Sequence, residues 1–196
     1  MATKVNIVLD DDVKAELETL VKSGRRSRVI NTALRKELLA MRRQRLSEKL
    51  DRLRRKTRPG VHTSSCRPPA TRQEPVMPAP VVVPDASVLV KWALESREEA
   101  DQAKALSIRN RWLAGDCHIV VPSLWVYEVG NVLASKQPAL APELLEVLVG
   151  YRFHEEAADD SVKEIYTLVR DLKVTFHDAA YHAAAIRSQR HLCHRR

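Results

Sequence analysis

The chain has 196 residues and a formal net charge of +8. Its charge is unevenly placed: residues 1–80 hold 19 Lys/Arg against 9 Asp/Glu, and residues 81–196 hold 14 against 16. That length fits one ordinary domain or two small ones; the split argues for two, the basic one suited to a polyanion. Cys66, Cys117 and Cys193 fall in no paired spacing, which excludes a disulfide framework and a zinc signature and fits a reducing compartment. No run approaches the roughly 20 apolar residues of a membrane span, and the polar start MATKVNIVLDDD is unlike a secretory signal, so a cytoplasmic protein without a membrane partner is expected. Aromatic residues are 5% of the chain, too few to suggest stacking platforms for single-stranded nucleic acid.

In TKVNIVL, period-two alternation puts Val5, Ile7 and Leu9 on one face and Lys4, Asn6 and Val8 on the other, which predicts a short strand over 3–9. Asp10, Asp11 and Asp12 supply acids at the start of a helix in which Val13, Leu17, Leu20 and Val21 recur at helical spacing, with Gly24 as its stop. Ser27 opens a longer second helix. Its stripe of Val29, Ile30, Ala33, Leu34, Leu38 and Met41 is followed by a basic continuation to about Lys56. One lone strand and two helices in so short a segment cannot close a core, so a second copy must complete it.

This strand, helix, helix order over residues 3 to about 45 resembles the ribbon-helix-helix family of DNA-binding repressors and antitoxins. The resemblance implies a dimer whose paired strands enter the major groove of operator DNA. Lys4, Asn6 and Val8 would then face bases, and Ser27 and Arg28 at the second helix start would hold phosphate. The plain alternative is that Lys4 and Asn6 merely solvate an outer face. Residues 57–80 are rich in Pro, Ser, Thr and Arg without an apolar period and read as a linker, so the expected domains are 1–56, the linker 57–80 and 81–196. Met77 suggests a former start codon and two reading frames joined into one.

Beyond the linker, Val81 to Val83 form an apolar strand and SREEADQAKALSIRNRWLAG a helix with a Ser96–Glu99 capping box, ended by Gly115. CHIVVP is a buried strand, SLWVYEVGNVLAS and PELLEVLVG are helices, FHEEAA is a weak strand, and SVKEIYTLVRDL is a helix capped by Ser161 and Glu164. Strands alternating with helices predict an α/β domain with a parallel sheet between helical layers.

Three acids stand out: Asp85 in VVVPDASVLVKW, Glu128 in VPSLWVYEVGNVL and Asp178 in VTFHDAAYHAAA. Carboxylates on separate rigid elements near a sheet's carboxyl edge can converge on a hard divalent cation that activates water. Each also has a plain structural role available. Asp85 can cap the helix after its strand, Glu128 can sit at the surface, and Asp178 can form a capping box with Thr175. Glu128 is the most telling, because apolar Val126, Val129, Val132 and Leu133 surround it in sequence.

In this order the three segments resemble the PIN domain of VapC-like ribonuclease toxins, over Val81 to about Ser188. With a VapB-like ribbon-helix-helix segment upstream, the whole resembles a fused type II antitoxin and toxin. The resemblance implies a Mg2+-dependent endoribonuclease, with Mn2+ as an alternative ion, whose catalytic metal ligands would be Asp85, Glu128 and Asp178, directly or through water. RNA would be its substrate. His177 and His182 are spaced unsuitably for a zinc pair and are expected to be packing or solvent residues.

Family members continue into a further strand with a fourth acid, whereas this chain ends in RSQRHLCHRR. A one-base frameshift near Ser188 would account for the change, and 189–196 are then expected to be an out-of-frame tail in which HLCH has no metal role. The domain is therefore expected to lack its last strand and to be impaired in activity. Arginines between Arg42 and Arg58 are candidates to cover the acidic pocket and restrain it. The alternative to a fused toxin and antitoxin is a dimeric transcriptional repressor carrying an inactive PIN domain.

Overall fold

A computed structural model describes residues 6–57, 79–95 and 101–193, with side chains followed as far as Ser188. These residues form a mixed α/β chain, mostly helical with a small parallel sheet, in two compact units, Met1–Arg42 and Arg43–Arg196. Among the described residues no helix is long and apolar enough to cross a membrane.

The first unit contains α1 (Asp11–Leu20), a 3-10 turn (Ser23–Arg25) and the start of α2 (Arg26–Lys56). Asp11 and Asp12 lie in the first turn of α1, where carboxylates meet the positive end of the helix dipole. Asp10 stands at the cap without a side-chain cap bond. The helix ends ahead of Gly24, because Val21 is already extended and its carbonyl accepts from Arg26 Nε at 3.2 Å. Arg26 also pairs with Glu18 at 3.4 Å, which closes the turn. Residues 6–10 carry no strand, and Lys4 lies outside the described residues. A lone strand has no ladder partner within one chain, so its pairing needs a second copy. Nothing from 6 to 42 is buried: Ile7, Val13, Leu20, Val29, Leu34, Leu38 and Met41 are all exposed.

The second unit begins inside α2. Residues 43–56, assigned from sequence to the first domain, pack with the second, and Leu50 and Leu53 belong to its core with Leu46 packed against it. Leu46 packs closely on Gly150: a Cβ there would meet Leu46 Cδ1 at 3.1 Å, so the leucine would have to shift by a few tenths of an ångström. Arg43 lies 4.3 Å over the Trp112 ring, and the buried Arg109 pairs with Asp51 through Nη1–Oδ1 at 2.9 Å and Nη2–Oδ2 at 3.1 Å. The 57–80 linker falls almost wholly outside the described residues, as does the Ser96–Glu99 capping box.

The remainder runs β1 (Val81–Val82), α3 (Ala86–Ala93), α4 (Gln102–Ala114), β2 (His118–Pro122), α5 (Trp125–Lys136), α6 (Ala141–Gly150), β3 (His154–Glu156), α7 (Val162–Leu172) and α8 (Phe176–Cys193). The three strands are parallel in the order β1-β2-β3, with Val81 opposite His118 and Val120 opposite His154. Four of the five β2 residues are buried, the unbroken apolar run that a covered parallel strand requires. Gly115 closes α4 at φ 85°, a conformation glycine adopts at no steric cost.

An aromatic cluster fills the core: Trp92, Trp112, Tyr151 and Phe153 are mutually in contact, and Trp125 meets Phe153 at 5.4 Å. Trp92 Nε1 donates to the Ala105 carbonyl at 2.8 Å, so α3 and α4 are tied through a buried polar tip. A smaller cluster of Ile165, Ala179, Ala180 and Ala183 joins α7 to α8, and α8 also packs on β1 and β2. Ser161 makes no side-chain cap bond to α7, contrary to the box expected there; its hydroxyl turns back to the Ala158 carbonyl instead. The residues read as an unpatterned tail continue α8 as far as Cys193.

Candidate functional site

β1 and β2 are adjacent parallel strands, and the chain leaves both at the same sheet edge. Val83, Pro84 and Asp85 follow β1, and α5, carrying Glu128, follows β2. A crevice outside the carboxyl ends of parallel strands is the ordinary place for a ligand in such sheets. Asp85 is the N-cap of α3: its Oδ1 accepts from the Ser87 amide at 2.8 Å and its side chain is otherwise exposed. The capping role open to Asp85 in the sequence is therefore filled.

Glu128 lies in the first turn of α5 with its side chain 25% exposed. Its carboxylate is not orphaned. The Tyr181 hydroxyl from α8 donates to Oε2 at 2.6 Å, and His177 Nδ1 lies 3.6 Å from Oε1. His177 and Tyr181 are one helical turn apart, which puts both on the α8 face turned to α5. His177, expected as a packing or solvent residue, thus leans over the acid while remaining largely open to water. His182 is exposed.

Burial, the hydrogen bond to Glu128 and the charges of Glu128 and Asp85 together push the Tyr181 phenol well above its ordinary range, partly opposed by the Ala86 amide. Asp178 is exposed in the first turn of α8 and forms the capping box with Thr175: its amide donates to Oγ1 at 3.1 Å, and that hydroxyl donates to Oδ2 at 2.7 Å. Among the described residues, no group of three or more His, Cys, Asp or Glu side chains is gathered closely enough to hold a metal ion.

Three arginines of the expected 42–58 stretch have neighbours of their own, and Arg58 lies outside the described residues. Arg43 covers Trp112, Arg55 Nε donates to the Asp51 carbonyl at 3.2 Å, and Arg54 lies among Asp51, Arg109 and Glu95, its guanidinium pKa lowered chiefly by burial. In the first unit, Asn6, Val8, Ser27 and Arg28 are all exposed, Val8 almost completely. Sequence reasoning missed Tyr181. A tyrosine in an alanine-lined helix was the available signal, because a buried phenol needs a partner for its hydroxyl. Comparison with protein-family models, with curated proteins and with solved structures finds no match for this chain.

Proposed function

We propose that the chain is a fused type II toxin and antitoxin, with a PIN-like, Mg2+-dependent endoribonuclease in residues 81–188 and a ribbon-helix-helix DNA-binding half in residues 3–45. The observation that carries the nuclease reading is that Asp85 and Glu128 stand on the connections after two neighbouring parallel strands, at one sheet edge, with Glu128 held by the Tyr181 hydroxyl. Magnesium keeps several waters and binds through one or two carboxylates plus substrate phosphate, so this pair suits a hydrated ion. Asp85 and Glu128 would hold the ion, and Asp178, at the start of α8, would act through water.

When bound, the ion lowers the pKa of its water and stabilises charge developing on the scissile phosphate. The chain's own part is to fix the carboxylates on separate helices, α5 being anchored in the core by the buried Trp125 and Val129 that flank Glu128. The DNA-binding reading is supported by the exposed apolar face of α1 and α2, which a second copy would cover, and by the exposure of Asn6, Val8, Ser27 and Arg28. Operator DNA, an RNA substrate and a homo-oligomer are the partners proposed.

Cleavage of a mixed RNA substrate by the full chain with Mg2+ tests the nuclease half. Cleavage that Asp85→Asn and Glu128→Gln each reduce at least 100-fold is expected; cleavage indifferent to both overturns it. The repressor with an inactive PIN domain is favoured by the capping bonds that already engage Asp85 and Asp178. It requires DNA retention that Arg28→Ala weakens, with no Mg2+-dependent cleavage.

A further inference from the structure

We infer that Tyr181 is a positioning residue of the carboxylate site, holding Glu128 in a fixed pose so that one carboxylate oxygen is presented to a cation. The inference rests on the Mg2+ reading above and deepens it. A glutamate side chain has three rotatable bonds, and a metal ligand has to be held within about 0.5 Å of its working place. At 25% exposure, Glu128 is not fixed by packing alone.

The Tyr181 hydroxyl supplies the restraint. Its 2.6 Å bond to Oε2 is short, as bonds to an ionised acceptor are. The ring is 8% exposed and belongs to the core, so the hydroxyl is anchored by a rigid body. Two elements, α5 and α8, are thereby tied through one bond, and the other oxygen, Glu128 Oε1, lies 3.6 Å from His177 Nδ1. A hydrogen-bond partner of a metal ligand typically governs affinity by 10- to 100-fold without touching the ion.

The test uses Mn2+ as the probe ion and the full chain, with binding measured by calorimetry and thermal unfolding followed without metal. Tyr181→Phe keeps the ring and is expected to weaken Mn2+ binding about 10- to 100-fold. In a Glu128→Gln background the same change is expected to have no further effect, because the restraint acts only through that carboxylate. Glu128→Asp, which draws the acid away from the hydroxyl while keeping its charge, is expected to lose a comparable factor and serves if the phenylalanine variant fails to fold. Equal Mn2+ affinity for Tyr181→Phe and the parent chain, with Asp85→Asn still weakening it, overturns the role of Tyr181 and leaves the metal reading standing. Equal losses in both backgrounds also overturn it, since that is general loosening of the fold. No Mn2+ binding by the parent chain overturns the metal reading and this inference together.

Discussion

Leu38 and Leu50 sit on the same continuous helix, yet Leu38 is 63% exposed and Leu50 is fully buried. The difference lies in what each half of α2 meets. Before Arg43 the helix buries nothing, whereas after it Leu50 and Leu53 enter a core built on the Trp92, Trp112 and Tyr151 rings. Both halves are strongly basic, so composition alone does not separate them. Packing does, and most helical stability in proteins comes from it rather than from propensity.

The largest expected effect breaks the comparison directly. Leu50→Ala should destabilise the second unit by about 2–5 kcal/mol, read as a lower midpoint in urea, because a fully buried side chain leaves a cavity. Leu38→Ala should leave that transition within about 0.5 kcal/mol. In the proposed dimer, Leu38→Ala acts elsewhere, shifting association to higher protein concentration in sedimentation equilibrium. Equal effects of the two substitutions on the urea midpoint would erase the distinction between the halves.

Next in size is the ion pair that ties α2 to α4. Arg109 has a 6% exposed side chain, and Asp51 at 33% is the partially solvated member. Asp51→Asn strands a buried guanidinium, which should cost about 3 kcal/mol, at the low end for a broken buried pair because water reaches one side. Replacing the two together, Asp51→Leu with Arg109→Met, should recover most of that loss in thermal unfolding. A double variant as unstable as the single one would show the pair to be more than an isolated exchange of charge.

The Tyr151 hydroxyl sharpens the same boundary through pH. Its pKa is pushed up to about 12, chiefly by burial, with Arg109 and Ser47 opposing and Asp51 adding to the rise. Ser47 faces it from α2, but the pair falls short of hydrogen-bond geometry. A phenol whose folded pKa is raised contributes stability that is fully present below about pH 10 and lost as pH rises through about 12. The loss should approach 2–3 kcal/mol, from about 1.4 kcal/mol per pKa unit. Urea midpoints taken between pH 9 and 12 should fall less steeply in Tyr151→Phe than in the parent chain; parallel curves would contradict the assigned cause.

Much of the second unit was legible because its signals are local and repeated. VVV and HIVVP are apolar runs of strand length, and Gly115 sits where α4 had to stop. The continuation of α2 was obscured by its arginines, although Leu46, Leu50 and Leu53 recur at helical spacing and mark a buried face. Gly24 misled, since the helix stop was set by Arg26 bonding back to Val21 rather than by a glycine. At the candidate site, the acids were visible as residue types in their segments, but the Tyr181 link between α8 and α5 is a long-range contact that no local pattern encodes.

The smallest predicted effect concerns Arg43, the first residue of the second unit. Its guanidinium carbon lies 4.3 Å over the Trp112 ring, and burial lowers its pKa. A cation over an indole face contributes about 1 kcal/mol when partly desolvated, and the arginine stem also covers apolar surface. Arg43→Ala should therefore lower stability by about 1 kcal/mol, whereas Arg42→Ala, next to it on an exposed position, should change little. Arg43→Lys discriminates the cause: it keeps charge and stem but loses the planar group that stacks, so a partial loss is expected. If Arg43→Lys matches the parent chain, charge and stem suffice and stacking contributes nothing; if Arg42→Ala costs as much as Arg43→Ala, the compact second unit begins earlier on α2 than Arg43.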